Sequence, residues 1–207
     1  MAEEIYTKPD RHLVLVGASI GKEWHLEELG KRIQAPGYRF SYVGTYDFDK
    51  GDLIDGLIKD VDKPDIVLIK ECSSYFPGDL DSYERKISGW VDMLKTAGIR
   101  PILVTTAPVG KPDDYIVRLK NVVKIIIGRP TKQGSVAEFN DWMKEYGRRI
   151  GIPVFDLESI LILSPEERWL RPEFDSGDKT HLTARAYEAM DRAFARFLPN
   201  LDKAPDK

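Results

Sequence analysis

Five short apolar segments with the length of β-strands recur along the chain, and segments with helical spacing of their apolar residues separate them. The strand-like segments span residues 12–16, 38–43, 65–69, 101–106 and 151–156. The third is a nearly continuous apolar run (DIVLI), which is typical of a strand buried on both faces. Strands that alternate with helices in this way form a mainly parallel sheet covered by helices. The pattern therefore predicts the α/β class, as a three-layer αβα sandwich with about five parallel strands.

A single domain accounts for the chain, because 207 residues with an apolar fraction of 42% are enough for one sizeable core. We assign residues 1–10 to a polar lead-in, 11–200 to the domain and 201–207 to a C-terminal tail. Residues 111–133 have the character of an insertion, in which 115–127 form either a helix or a strand pair. A last helix follows His181, with Thr183 as its N-cap and a buried stripe of Ala186, Tyr187, Met190, Phe194 and Phe197.

The charge balance argues against several classes of function. The 31 basic and 34 acidic residues are well mixed, so the net charge of -3 predicts neither a nucleic-acid-binding surface nor a membrane-surface patch. No apolar run approaches the ~18 residues of a membrane span. The N-terminus lacks the order of a secretory signal, so we expect a cytoplasmic location by default, with a trimmed secretory signal as the alternative.

The counts of cysteine and histidine bear on disulfides and metals. A single cysteine, Cys72, rules out an internal disulfide. Three histidines without a Cys/His cluster predict no metal site, and no motif calls for an organic cofactor. The oligomeric state stays open at this point.

Two short motifs at opposite ends of the chain carry groups suited to nucleophilic catalysis. The first apolar segment ends in Gly17-Ala18-Ser19, which delivers a hydroxyl to the carboxyl edge of the sheet, where open α/β folds bind their ligands. Near the other end, Asp178 and His181 lie three residues apart, just before the last helix. A serine hydroxyl needs a base to take its proton, and the base works better when a third group holds its orientation. Ser19, His181 and Asp178 therefore predict a nucleophile, a general base and an orienting carboxylate.

The same residues have other interpretations. Ser19 could merely cap the following helix, with Asp178 and His181 as polar loop residues. Residues 17–21 (GASIG) match the nucleophile elbow of α/β-hydrolases, but that fold needs several strands before the elbow, and only 18 residues precede the serine. Residues 17–22 (GASIGK) resemble a phosphate loop, but the spacing of the glycines is one residue short and a glutamate follows the lysine.

Several side chains near these motifs could belong either to a pocket or to the core. We favour the interpretation of Trp24 as a helix residue that packs on the sheet over its interpretation as a pocket residue. Glu71 is a candidate pocket carboxylate, and Cys72 is expected to be a buried, inert thiol. Four aromatic residues fall in loops that this fold gathers near the catalytic edge: Tyr75, Phe76, Trp169 and Phe174.

Taken together, the motifs resemble the sequence blocks of the SGNH (GDSL-type) hydrolases. Gly17-Ala18-Ser19 resembles their first block, Gly-Asp-Ser after the first strand, with Ala18 in place of the aspartate. Residues 178–184 (DKTHLTA) resemble the last block, Asp-x-x-His followed by a helix. Residues 63–69, 100–108 and 152–157 resemble the third, fourth and fifth strands of that family, and we expect its flavodoxin-like strand order 2-1-3-4-5.

The resemblance also implies an oxyanion hole with three donors: the serine N–H, a glycine N–H after the second strand and an asparagine side chain after the third. Ser19 stands at the first position, and Gly44 stands at the second within a slip of one residue. The asparagine is absent, and Ser74 occupies its expected position. A hydroxyl is a shorter donor than an amide, and loss of one oxyanion donor typically slows turnover by about 10²–10³-fold.

These observations predict a serine-dependent hydrolase that cleaves a carboxylic ester with a short acyl or acetyl group through an acyl-enzyme. The expected substrate is a small-molecule or carbohydrate ester. One alternative is a catalytically weakened or inactive domain of the same fold that binds an acylated or glycan ligand, which the absence of the asparagine favours. Another is an acyltransferase, in which a second hydroxyl instead of water resolves the acyl-enzyme.

Overall fold

The structure, a computed structural model, describes residues 11–203. The predicted lead-in at 1–10 and the end of the predicted tail, 204–207, lie outside the described residues. Within the described range, none of the helices combines the length and the apolar content that crossing a membrane requires.

Five parallel strands form one sheet in the order β2-β1-β3-β4-β5. They are β1 (Arg11–Gly17), β2 (Tyr38–Gly44), β3 (Ile66–Lys70), β4 (Arg100–Val104) and β5 (Val154–Phe155). All five residues of β3 are buried, as its continuous apolar sequence predicts for a strand covered on both faces. The predicted fold class and strand order are therefore confirmed.

Helices connect consecutive strands and cover both faces of the sheet. They are α1 (Ser19–Glu23), α2 (Leu29–Arg32), α3 (Gly51–Lys59), α4 (Leu80–Thr96), α5 (Tyr115–Ile126), α6 (Lys132–Ile150), α7 (Leu157–Leu161) and α8 (Ala184–Lys203). Three single 3₁₀ turns lie between them, at Leu26–Glu28, Ser73–Tyr75 and Pro172–Phe174.

The two faces of the sheet bury separate apolar cores, because successive side chains of a strand point to opposite sides. Leu13 and Leu15 of β1 belong to the first core, which packs under α1, α2, α7 and α8. Val14 and Val16 belong to the second core, under α3, α4 and α6. The result is the predicted three-layer arrangement.

The apolar residues between 24 and 33 have the spacing of a single helix, but the structure interrupts this segment. His25 adopts a left-handed backbone with φ of 48°, and a regular helix resumes only at Leu29. Trp24 stands at this break with 1% of its side chain exposed, and its indole N–H donates to Asp191 at 2.7 Å. Trp24 therefore packs in the core and does not line a pocket.

The last helix, α8, is longer than the sequence analysis predicts. The predicted domain boundary at residue 200 falls inside α8, and Leu201 is buried in the first core. The hydroxyl of Thr183 donates to the carbonyl oxygen of Glu173 at 3.0 Å. Of the predicted stripe, three residues are buried and two are partly buried against the core: Ala186, Met190 and Phe194, then Tyr187 and Phe197.

The ambiguous segment after β4 is a helix and not a strand pair. The carboxylate of Asp114 accepts a hydrogen bond from the N–H of Ile116 at 2.7 Å and so caps α5. None of the twelve residues of α5 is buried.

Candidate active site

The turn that carries Ser19 is held at the carboxyl end of β1 by close packing. A Cβ at Gly21 would come within 2.5 Å of the Leu15 side chain and 3.0 Å of the Tyr42 ring, so a larger residue there would force these side chains to shift. The hydroxyl of Tyr42 on β2 donates to the carbonyl oxygen of Ala18 at 3.1 Å, and burial raises the pKa of this tyrosine to about 12. Sequence reasoning missed Tyr42, because nothing local to β2 reveals that its side chain reaches this turn.

The second part of the site is the turn before α8. One carboxylate oxygen of Asp178 accepts hydrogen bonds from the backbone N–H groups of Thr180 (2.9 Å) and His181 (2.7 Å). Its other oxygen lies 2.5 Å from Nδ1 of His181. Hydrogen bonds within the turn therefore hold both the carboxylate and the imidazole in place, independently of the rest of the site.

Ser19 and His181 meet although 162 residues separate them in sequence. Nε2 of the imidazole lies 3.2 Å from the Oγ of Ser19, within hydrogen-bond distance. Ser19 is the first residue of α1, and the helix has no side-chain cap, so the interpretation of Ser19 as a capping residue is wrong. The structure thus brings Ser19, His181 and Asp178 into one hydrogen-bonded chain.

The electrostatics of this chain follow from the contact between Asp178 and His181. The hydrogen bond from the imidazole, with those from the backbone, holds the pKa of Asp178 well below its usual range. The same hydrogen bond raises the pKa of His181 against the opposing effect of burial, and the carboxylates of Asp178 and Glu23 add to the rise. An ionised Asp178 that accepts the Nδ1 proton leaves Nε2 as the free nitrogen that faces the serine.

The residues expected to donate to an oxyanion lie at the ends of neighbouring strands. Gly44 ends β2 directly opposite Gly17, and a side chain there would collide with the Tyr42 hydroxyl. Ser74 lies in the 3₁₀ turn after β3, exposed, with its hydroxyl 3.0 Å from the Sγ of Cys72. The Ser74 hydroxyl therefore has a partner within its own turn, and the oxyanion roles of Ser19, Gly44 and Ser74 stay predictions.

Glu71 is not a pocket carboxylate, which corrects that sequence-based interpretation. It is fully buried and pairs with Lys50 at 2.6 Å. The Lys50 ammonium also donates to the carbonyl oxygens of Asp47 and Phe48, so the pair ties the loop after β2 to the end of β3. Burial raises the pKa of Glu71 to about 7 and lowers the pKa of the neighbouring, fully buried Lys70.

A cleft of about 400 Å³ opens beside Asp178, between the turn before α8 and α5. Phe76 and Trp169 line it, as the sequence analysis expected for two of the four loop aromatics. The other two have different places: Phe174 is buried in the first core, and Tyr75 packs on Phe48. Of the Ser19–His181–Asp178 chain, only Asp178 lines this cleft.

Two further predictions concern cysteine and metals. Cys72 is buried and free, as expected of a structural thiol. Among residues 11–203, no group of three or more His, Cys, Asp or Glu side chains could hold a metal ion.

Solved structures with the same fold are hydrolases by name. A lipase/acylhydrolase from Enterococcus faecalis has a TM-score of 0.67 at 22% identity, over 92% of this chain and 96% of that one. A GDSL-like lipase from Bacteroides thetaiotaomicron has a TM-score of 0.67 at 16% identity, over 93% and 89%. A catalytic mutant of an acetylxylan esterase from Geobacillus stearothermophilus has a TM-score of 0.62 at 16% identity, over 90% and 93%. No protein-family model and no curated protein matches the sequence.

The chain therefore has the fold of the SGNH (GDSL-type) hydrolases, and the resemblance predicted from its motifs is confirmed at the level of the fold. At identities of this size the likeness concerns the architecture alone. The activity has to be argued from the site.

Proposed function

We propose that this protein is a serine-dependent esterase that cleaves short acyl or acetyl esters through an acyl-enzyme on Ser19. The observation that carries the proposal is the hydrogen-bonded chain from Ser19 through His181 to Asp178, with distances of 3.2 and 2.5 Å. The fold shared with lipases, acylhydrolases and an acetylxylan esterase supports it.

In the proposed reaction, Oγ of Ser19 attacks the carbonyl carbon of the ester while Nε2 of His181 takes the hydroxyl proton. The ionised Asp178 stabilises the imidazolium that forms and keeps its orientation. The tetrahedral intermediate collapses, the C–O bond to the alcohol breaks, and His181 returns the proton to the leaving oxygen. Water then attacks the acyl-enzyme with the same base, which releases the carboxylic acid and restores Ser19.

The negative charge on the carbonyl oxygen has to be met by preorganised donors. We assign this role to the backbone N–H groups of Ser19 and Gly44, assisted by the side chain of Ser74. Ser74 is the weakest member of the set, because its hydroxyl is short and is engaged with the Sγ of Cys72. We therefore expect a slow enzyme.

Hydrolysis of p-nitrophenyl acetate by wild type, Ser19→Ala and Ser82→Ala tests the proposal. Loss of the nucleophile should reduce turnover by about 10⁴-fold or more, to the background rate. Ser82→Ala, which removes a serine hydroxyl from α4, should leave the rate unchanged. A fluorophosphonate probe should label wild type at Ser19 and leave Ser19→Ala unlabelled. Equal rates in all three proteins, without labelling, would reject the esterase.

The alternative of a binding domain without turnover has one structural argument in its favour, the engagement of Ser74 with Cys72. Restoring an amide with Ser74→Asn separates the two functions. In an esterase limited by a poor oxyanion donor, this change should raise kcat, by up to about 10²-fold. In a binding domain it would leave the rate at background, and a fall in kcat would contradict the assignment of Ser74.

A further inference from the structure

The helix α5 carries its apolar residues on the side that faces away from the protein. Four of them recur at helical spacing on one face, and 50–76% of each side chain is exposed: Tyr115, Leu119, Val122 and Ile126. We call these four residues the outer face. Four neighbours are also between 48% and 66% exposed: Ile116, Val123, Ile125 and Ile127. An exposed apolar surface of this continuity marks an interaction site.

The opposite face of α5 is the one turned to the protein, and it is mostly polar. Val117, Asn121 and Lys124 follow the same helical spacing and line the cleft beside Asp178. The usual pattern of a surface helix, with the apolar stripe inward, is therefore reversed. This reversal leaves the outer face without a partner from the described part of the chain.

All charged residues of α5 and of the segment that follows it to Lys132 are basic, and the nearest acidic residues in sequence, Asp113 and Asp114, precede the helix. From residue 115 to residue 132 the sequence contains five basic residues and no acidic one: Arg118, Lys120, Lys124, Arg129 and Lys132. None of these five forms a salt bridge in the described structure, although the protein as a whole is slightly acidic. The mean charge of the chain hides this local excess, which is why the sequence analysis predicted no membrane-surface patch.

We propose that α5 lies on anionic lipid surfaces, with its outer face inserted at the boundary of headgroups and acyl chains. A helix with an apolar face, flanked by lysine and arginine and free of acidic residues, has the composition of interfacial helices. The stems of Arg118 and Lys120 can follow the apolar surface while their charges reach anionic headgroups. Binding itself does not depend on the esterase activity. The consequence that esters carried in the lipid surface are substrates rests on the proposed function.

A second copy of this chain fits the outer face less well. A specific interface takes roughly 20–30 residues from each partner, whereas α5 offers one face of twelve residues. A two-fold contact through the outer face would also bring Arg118 and Lys120 of both copies together, and like charges at close range oppose association.

The segment just before α5 contacts the turn that carries Asp178, which makes this location relevant to the site. Lys179, next to Asp178, pairs with Asp113 just before α5 at 2.9 Å. The N–H of Gly110 also donates to the carbonyl oxygen of Lys179 at 2.9 Å. The segment that leads into α5 is therefore tied to the turn that carries Asp178, while the cleft itself lies on the side of α5 opposite the outer face.

Co-sedimentation with vesicles tests the proposal directly. Wild type should bind vesicles of phosphatidylcholine with about 30% phosphatidylserine at least tenfold more strongly than vesicles of phosphatidylcholine alone, and added salt should weaken the binding. Ser19→Ala should bind equally well, so a failure of the proposed esterase leaves this measurement intact. Absence of binding to the anionic vesicles, or equal binding to both compositions, would overturn the proposal.

Paired substitutions locate the binding surface. Leu119→Asp with Ile126→Asp should weaken vesicle binding at least tenfold, because two inserted apolar groups become charged. Val61→Asp with Leu163→Asp makes the same change at two exposed apolar residues elsewhere and should bind like wild type. Equal loss in both double variants would contradict a role for α5. Thermal unfolding of both should match wild type, because all four side chains are exposed.

The charges are tested in the same way. Arg118→Gln with Lys120→Gln should weaken binding to anionic vesicles about tenfold or more. Lys31→Gln with Lys95→Gln removes the same charge from other surfaces and should have a smaller effect. Sedimentation velocity covers the remaining outcome: a wild-type dimer that the Leu119→Asp, Ile126→Asp variant dissociates would identify a second copy as the partner and reject the lipid surface.

Discussion

Two helices of this protein, α8 and α5, have similar apolar stripes and turn them in opposite directions. α8 buries Met190 and Phe194 against the sheet, whereas α5 exposes Leu119 and Ile126. Apolar spacing alone predicts a one-sided helix in both cases. What differs is the surface available to the stripe, because α8 lies on the apolar face of β1 and β3, and α5 lies over a cleft lined in part by polar residues.

The contrast continues in the aspartates that precede the two helices. The carboxylate of Asp114 caps α5 and accepts no other hydrogen bond in the described structure. Asp178, before α8, accepts two backbone hydrogen bonds and also holds the imidazole of His181. Both carboxylates accept hydrogen bonds from backbone N–H groups of their own turn. Only the carboxylate of Asp178 also contacts a residue of the proposed catalytic chain, His181.

The largest expected effect uses this pair of aspartates. Asp178→Asn keeps an oxygen for the backbone N–H groups but removes the charge that stabilises the imidazolium, so kcat should fall on the order of 10²–10⁴-fold. Asp114→Asn preserves the cap of α5 and should change kcat less than twofold, which is about 0.4 kcal/mol. Steady-state kinetics on p-nitrophenyl acetate measures both. Equal losses would mean that the carboxylate of Asp178 matters only for its turn.

A second prediction compares the packing of the two stripes. Phe194→Ala should lower the free energy of unfolding by about 3–5 kcal/mol, because it leaves a cavity among the aromatic rings of the first core. Leu119→Ala, at an exposed position of α5, should change it by no more than about 0.5 kcal/mol. Urea denaturation of both variants gives the values. A loss above about 2 kcal/mol for Leu119→Ala would show that α5 packs against the protein in solution.

A third prediction concerns the pH dependence of the proposed activity. The base must be neutral to act, and the contact with Asp178 raises the pKa of His181 above the usual value of about 6.5. The acid limb of the kcat/KM profile should therefore lie above that value in wild type. In Asp178→Asn it should move to lower pH, because the imidazolium has lost its partner. Glu23→Gln should move it in the same direction by less, and a limb that stays in place in both variants would exclude His181 as the titrating base.

The smallest expected effect separates two tyrosines. Tyr42→Phe removes the hydrogen bond to the carbonyl oxygen of Ala18 and should destabilise the fold by about 1 kcal/mol, with a fall in kcat at unchanged KM because the serine turn is less well held. Tyr115→Phe on α5, where 74% of the side chain is exposed, should leave stability and kcat unchanged. Thermal unfolding and steady-state kinetics distinguish them. A normal kcat in Tyr42→Phe would restrict this residue to a structural role.

The sequence predicts the sheet well, because each strand carries its own signal. The runs LVLV and IVLI are apolar at every position, which only strands covered on both faces require. The helical segment after Ser19 is less well predicted. It is interrupted at His25, whose left-handed backbone cannot be inferred from the residue type. The two-residue β5 is shorter than its apolar segment, because Pro153 has no N–H to pair and β5 lies at the edge of the sheet.

The site is predicted where its residues belong to a recognisable sequence motif, and missed where they do not. The spacing of Asp178 and His181 is a local signal, and their hydrogen bond follows from it. The partners of Tyr42 and Glu71 lie 24 and 21 residues away, so their roles depend on which loops the fold brings together. The direction of α5 could not be predicted either, because it depends on which face meets the cleft.

The distance of 162 residues between the proposed nucleophile and its base has a consequence during synthesis. At roughly 5–20 residues per second, the ribosome adds His181 on the order of ten to thirty seconds after Ser19. Throughout that interval the nascent polypeptide carries an ordinary, unreactive hydroxyl. If Ser19 acts through His181 as proposed, translation products that end before His181 lack the base and should be inactive.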